Sequence, residues 1–554
     1  MGASLPDDIL HLICVQLWHQ RDFDTLFNCA QAGKQLAAPA LANLYRMHEV
    51  APVTIGGSDE VELSRQGRSG DQDFEQPVSR WALLWKSIIL SSLGMTLYPY
   101  CRYIRSLDLR DLKELLEDSK FRSVISKTFF KGALAQFLVL MDKPIKPGNK
   151  GQGSRRLNAV AALNAMGEAV TKETPLLEEL SGEILASALS RWIPRIPRLQ
   201  TMTLWRGAAL ADGAGGLIRT YCQFFRSLSF YEWSGLDADH KFAMFLNDLR
   251  PQSLETFEVI SYSDIGAESF LALNCHRESL TELKMNNLKP EVLPALSMLK
   301  GCTALTTLVL TDATGTTDLE KTQHDVFLEI IGWLRECKRL ESVTFVKFLS
   351  APAILTPLLL ENDIHLTKLE VEGYSMKDSR DFHQALAHQR SLERVWLKGD
   401  GEEVERDDLD VLVEALSKLH HLKDLRLRDV SDYCRDEHIR QLVRNLPELE
   451  EFYTSGYGIT DTIWNDVASL KCLRKLDLNA MTSFTLNGIL EFISKLGPGN
   501  KGLLLAVMMA DADSNLTDEE QTLIRETLAA KVEGRFEFTL MRDPEMSEFE
   551  GESD

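Results

Sequence analysis

The residue groups with the composition for chemistry are few, and each breaks its pattern where the chemistry is strict. Asp511-Ala-Asp513-Ser-Asn515 begins like a loop of alternating oxygen ligands for calcium. Such a loop needs glycine at its sixth position and a bidentate glutamate at its twelfth, and here those are Leu516 and Thr522. The basic stretch 142–156 carries Gly148, Gly151 and Gly153, but no Lys-Ser/Thr pair follows to hold a phosphate and no strong strand precedes it. A solvated loop is expected there. Nine cysteines, an odd number, include no Cys-x-x-Cys pair and no Cys/His cluster at zinc spacing. Buried thiols in a reducing compartment account for them. Cys302 and Cys337 each stand three residues before a leucine, Leu305 and Leu340, which marks a packing position. His420-His421 falls where a helix turns into a strand, so capping or surface roles are expected. The acidic stretch 399–410 is a solvated loop by composition. With no nucleophile elbow and no metal pair either, the expectation is a non-enzyme with no cofactor and no bound metal.

The elements that carry these groups belong to a soluble folded chain, 44% apolar and 26% charged, with a formal net charge of −21. That charge opposes binding to nucleic acid or an anionic membrane, both of which need a positive surface. No basic segment followed by an apolar core opens the chain. Met1-Gly2 fails as a myristoylation signal because Pro6 occupies the Ser/Thr position. The apolar run from Leu503 to Ala510 is too short to cross a bilayer. A cytoplasmic and/or nuclear protein without membrane or nucleic-acid partners is expected.

Most of the chain repeats one unit. Cys302-Thr-Ala-Leu305-Thr-Thr-Leu308-Val-Leu310 has counterparts in Leu280-Thr-Glu-Leu283-Lys-Met285, Leu366-Thr-Lys-Leu369-Glu-Val371 and Leu422-Lys-Asp-Leu425-Arg-Leu427. From Leu280 the steps are 25, 35, 26, 26, 30, 27 and 24 residues. Between strands lie stretches with helical spacing, such as Phe327, Ile330, Ile331 and Leu334, or Leu409, Leu412, Val413 and Leu416. One strand and one amphipathic helix per 24–35 residues is the unit of a leucine-rich-repeat solenoid. The fold class is α/β: a horseshoe with parallel strands on the concave face and helices outside. A dozen strands about 4.8 Å apart would line roughly 55 Å. A closing strand is expected at Phe536–Leu540, after a last helix opened by a Thr517/Glu520 capping box.

The first fifty residues differ. Asp7 and Asp8 favour the positive end of a helix, with Pro6 in its first turn. Ile9, Leu10, Ile13 and Leu17 give it an apolar stripe. A second short helix holds Leu26 and Cys29 and ends at Gly33, and a third holds Leu36 and Leu44. The run Leu5-Pro6-Asp7-Asp8-Ile9-Leu10-x-x-Ile13, with Leu17, Asp24, Leu26, Cys29, Ala30, Lys34, Leu36, Leu44 and Tyr45, resembles an F-box. With the Trp/Tyr-rich stretch from Trp81 to Tyr103, the chain is similar to fungal-type F-box proteins carrying leucine-rich repeats. The resemblance implies a three-helix module at 1–50 that docks on a Skp-type adaptor, and through it a cullin. Leu5, Pro6, Ile9, Leu10, Ile13 and Leu17 would be its adaptor-facing or adjoining core positions. A flexible linker at 51–80, a repeat solenoid at 81–540 and an acidic disordered tail at 541–554 complete the expected organisation.

The function so implied is substrate recognition within an SCF-type ubiquitin ligase, the repeats holding an unidentified target protein without catalysing anything themselves. The alternative is a repeat scaffold unconnected with ubiquitin. A third class, the GTPase-activating repeat proteins, shares the acidic character but gives the N-terminal helices no role.

Overall fold

In a computed structural model the described residues are 5–20, 22–46, 75–142, 155–400, 406–431, 433–511 and 516–541. The calcium-like residues 512–515, the glycines of the basic stretch, acidic residues 401–405, most of the expected linker and residues 542–554 lie outside them. The chain divides into two compact units, 1–276 and 277–554.

The first unit opens with three helices, α1 (Asp7–His19), α2 (Phe23–Ala32) and α3 (Lys34–Leu44). Pro6 precedes α1 as its N-cap instead of sitting in the first turn, and its carbonyl accepts from Ile9 and Leu10 N–H. Asp22 caps α2 by accepting from Thr25 N–H at 3.0 Å. Cys14, Leu26 and Ala40 form a small core, with Leu17, Trp18, Phe23 and Leu36 packed round it. So small a core supplies little stability alone. The three helices are tied on instead: Tyr45 stacks on Tyr100 with ring centres 4.6 Å apart, and its hydroxyl pairs with Ser87 Oγ at 3.0 Å.

Helix Glu75–Ser92 starts inside the segment expected to be linker, because Val78, Trp81, Trp85 and Ile88 give it a face to bury. Trp81 and Trp85 both donate their indole N–H to Asp111 Oδ2, at 2.7 and 2.6 Å. Asp111 lies in helix Leu109–Glu117, so Leu109 begins a helix and does not extend the first strand, β1 (Ser106–Asp108). The ends of the basic stretch pair antiparallel as β2 (Leu140–Asp142) and β3 (Arg155–Leu157). The repeat strands of this unit are β4 (Glu179–Gly182), β5 (Thr201–Arg206), β6 (Ser227–Trp233) and β7 (Thr256–Ser263). They follow β1 in the order β1-β4-β5-β6-β7, with parallel pairing from β1 through to β7.

Helix Ala159–Lys172 carries a charged hub. Glu168 accepts from Arg195 and the Trp192 indole at 2.7 Å and from Arg191 at 3.2 Å. Burial pushes its carboxyl up, but these donors outweigh it and hold the pKa at about 2, below the ordinary 4.5. A folded-state pKa that is depressed means stability present above the unfolded value and lost as pH falls through the folded one. Glu168→Gln should therefore lower the thermal midpoint by a constant amount above about pH 4.5. The difference from wild type should close toward pH 2, as followed by melting across an acid series.

The second unit holds β8 (Glu282–Leu288), β9 (Thr307–Asp312), β10 (Ser342–Val346), β11 (Lys368–Ser375), β12 (Arg394–Asp400), β13 (Asp424–Arg428), β14 (Glu451–Thr460), β15 (Lys475–Ser483), β16 (Leu504–Ala510) and β17 (Arg535–Leu540). Each is parallel to the next and paired in chain order. The expected helices are His324–Glu336, Arg406–Leu416 and Asp518–Val532, the last with the Thr517/Glu520 capping box in place. Residues 406–410, expected as acidic loop, belong to the second of these. Leu409 and Leu412 bury that helix, and Asp410 accepts from His438 Nε2 at 2.9 Å.

A strand-to-strand hydrogen bond sets the register. Thr306 N–H donates to Thr281 O at 2.8 Å, Glu341 to Thr306, Thr367 to Glu341, and Glu393 to Thr367. Alternate strand residues then fall on opposite faces: Leu308 and Leu310 are fully buried while Thr307 and Val309 are not. The position three residues before the leucine that leads into each strand has a polar duty in several repeats. Cys337 Sγ lies 3.7 Å from Cys302 O, Gln389 Nε2 donates to Leu359 O at 2.8 Å, and Asn500 Nδ2 donates to Leu470 O and Leu473 O at 2.9 and 3.1 Å. These side chains satisfy turn carbonyls of the preceding repeat that water does not reach. Asn500→Ala should cost about 1–3 kcal/mol in urea unfolding, because it strands two buried acceptors.

Candidate functional site

The N-terminal helices sort the resemblance positions into two sets. Leu10 is buried and Leu17 packs on the core. Leu5, Pro6, Ile9 and Ile13 stay exposed, and Leu12 and Phe27 join them. The five apolar side chains Leu5, Ile9, Leu12, Ile13 and Phe27 are 42–60% exposed. Spacing explains the partition: Leu10, Cys14 and Leu17 follow one stripe of α1, whereas Ile9, Leu12 and Ile13 follow another. Leu12 and Phe27 are not among the motif positions, although Leu12 stands three residues after Ile9 and so shares its face of α1.

Several groups of chemically able type are otherwise engaged. Burial pushes the Cys222 and Cys337 thiols up to about 12, and that of Cys434 to about 11. Protonated thiols are neither nucleophiles nor metal ligands. His420 Nδ1 faces Asn445 O at 2.9 Å and His421 Nδ1 faces Glu448 at 3.1 Å, both on the surface between neighbouring repeats. Among the described residues no three His, Cys, Asp or Glu side chains converge as for a metal ion. No helix there is long and apolar enough to cross a membrane.

The open face of the second unit's sheet has one chemically distinct region. On β12 the outward residues are Arg394, Trp396 and Lys398, and on β13 Asp424, Arg426 and Arg428. Lys368 of β11 and Arg426 both lie against the Trp396 ring, at 4.4 and 4.0 Å from its centre. Arg428 lies over the Tyr453 ring at 4.9 Å.

Parallel strands paired in chain order, with two alternate apolar side chains buried on most strands and a helix between most of them, define a solenoid of the leucine-rich-repeat type. No family model matches the chain, and no curated protein matches it. Among solved structures it is similar to the complex of Rad7 and Elc1 in yeast, with 12% identity over 84% of this chain and 97% of that one and a TM-score of 0.38. The leucine-rich repeat-containing protein LegL7 from Legionella pneumophila is 11% identical over 55% and 85% of the two chains, with a TM-score of 0.28. The plant peptide hormone receptor RGFR1 in complex with RGF2 is 13% identical over 62% and 53%, with a TM-score of 0.31. At these scores none of them bears on partner or activity.

Proposed function

We propose that the chain is the substrate-recognition subunit of an SCF-type ubiquitin ligase. In this reading α1 and α2 dock on a Skp-type adaptor, and through it a cullin, while the repeat sheet holds a target protein. The observation that carries it is the outward stripe Leu5, Ile9, Leu12, Ile13 and Phe27 on a small helical module that also opens with Leu-Pro. A module whose only duty was to cap the solenoid would turn such side chains inward, since each loses roughly 1.5–3 kcal/mol of burial by facing water. The chain itself performs no bond chemistry in this reading. It would raise the effective concentration of a target beside a conjugating enzyme carried elsewhere on the complex.

Co-purification of the adaptor with the full-length chain tests this, comparing wild type with Ile9→Asp/Ile13→Asp. Equal recovery of the adaptor would remove the ligase reading and leave a repeat scaffold unconnected with ubiquitin.

A further inference from the structure

We propose that the open sheet face of the first unit is a docking surface for an extended peptide segment that carries two basic side chains about five residues apart. This rests on the repeat sheet being the receptor surface, but not on the adaptor or on ubiquitin.

The first ground is shape. The parallel register sets the outward side chains of β4 to β7 in rows that run across the strands. One row is Glu179, Thr201, Ser227 and Thr256, and the next is Ser181, Thr203, Ser229 and Glu258. Apart from the two glutamates these are serines and threonines, so the rows make a shallow floor lined with hydroxyls. Beyond it stands an apolar ridge. Trp205 and Tyr231 stack with ring centres 4.5 Å apart, and Ile260 follows on β7, none of the three buried. A peptide backbone can lie on such a floor, where hydroxyls meet its amides, while the ridge takes an apolar side chain.

The second ground is which charges are already taken. Lys113 lies 5.2 Å from the centre of the Trp205 ring and is bound to Glu183 at 2.7 Å. Arg110 is bound to Asp108 at 2.6 Å, and Arg206 stands between Glu183 and Glu232 at 3.8 and 3.5 Å. The cations beside the ridge are thus neutralised. Glu179 and Glu258 are left over. Both are partly exposed, and among the described residues neither has a basic nitrogen within 4.0 Å. Glu258 accepts one long hydrogen bond, from Ser229 Oγ at 3.4 Å.

The third ground is the fit. Three strand spacings and one two-residue step separate the two glutamates, about 14 Å across the sheet and roughly 16 Å in all. No single ion bridges that distance. An extended chain rising about 3.3 Å per residue covers it in about five residues. Two lysine or arginine side chains so spaced can each reach one carboxylate, with their aliphatic stems along the floor and the ridge. A phosphorylated segment or a nucleic acid would meet charge of its own sign here.

The test uses full-length protein and three fluorescent peptide pools of equal length around a fixed central leucine. One carries two lysines five residues apart, one carries two adjacent lysines, and one carries glutamines instead. Wild type should hold the spaced pool about tenfold more tightly than the glutamine pool, the size of two partly exposed ion pairs. It should hold it about threefold more tightly than the adjacent pool, which reaches only one of the two carboxylates. Glu179→Gln/Glu258→Gln should abolish both preferences, with an unchanged melting temperature as the check on folding. Glu519→Gln/Glu526→Gln removes the same charge from exposed positions of the last helix and should keep both preferences. Equal binding of the spaced and adjacent pools overturns the proposal, as does an undiminished preference in Glu179→Gln/Glu258→Gln. An equal loss in Glu519→Gln/Glu526→Gln also overturns it, because bulk charge would then account for the binding. Adaptor recovery measured on the same variants keeps this outcome separate from the fate of the ligase reading.

Discussion

Full-length protein carrying Ile9→Asp and Ile13→Asp should recover at least about tenfold less adaptor than wild type, since each buried carboxylate without a partner costs several kcal/mol at an interface. Its melting temperature should be unchanged. Both residues lie on the exposed stripe, 42% exposed each, so the introduced carboxylates stay solvated in the free chain. Leu10→Asp should behave differently. Leu10 is buried beneath α1, so its replacement should melt the three helices and abolish adaptor binding indirectly. The contrast separates docking from folding: a surface variant that unfolds the helices, or a Leu10 variant that does not, would contradict the assignment of the two stripes.

The second large effect is expected at Asp111. Its carboxylate accepts both the Trp81 and Trp85 indole N–H groups and joins helix Glu75–Ser92 to helix Leu109–Glu117. Hydrogen bonds to a charged acceptor contribute roughly 1.5–3 kcal/mol each, and leaving buried donors unpaired adds to the loss. Asp111→Ala should therefore destabilise the first unit by about 3 kcal/mol or more. Hydrogen exchange of the two helices, alongside urea unfolding, is the measurement, with protection elsewhere in the chain largely kept. Trp85→Phe removes one of the two donors and should give a smaller loss. Equal stability of Asp111→Ala and wild type would mean that the helices are held by packing alone.

Much of the repeat fold is legible in the residues because the unit is local. A strand that buries alternate side chains and a helix that buries one stripe each leave a period, so β8 to β15 and helices such as His324–Glu336 can be read in place. Two repeat strands escape that reading. β4 is four residues long and shows little more than Leu177 and Leu180, too short for a period to emerge. β16 is apolar on both faces, Leu504, Ala506 and Met508 against Leu505 and Val507, so it has no alternation to read.

The residues alone thus establish one strand per 24–35 residues, the three N-terminal helices and the apolar character of Ile9, Leu10, Ile13 and Leu17. These follow from backbone periodicity and side-chain type, which act over a few residues. Which apolar residue faces its own core and which faces water depends on neighbours far along the chain. Cys14 turns inward to join Leu26 and Ala40 in the core, while Ile13, one residue away, stays exposed. The same holds for charge. Lys398 and Arg428 are thirty residues apart in sequence and become neighbours only through the register of β12 and β13. That register is a consequence of pairing in space that no local pattern encodes.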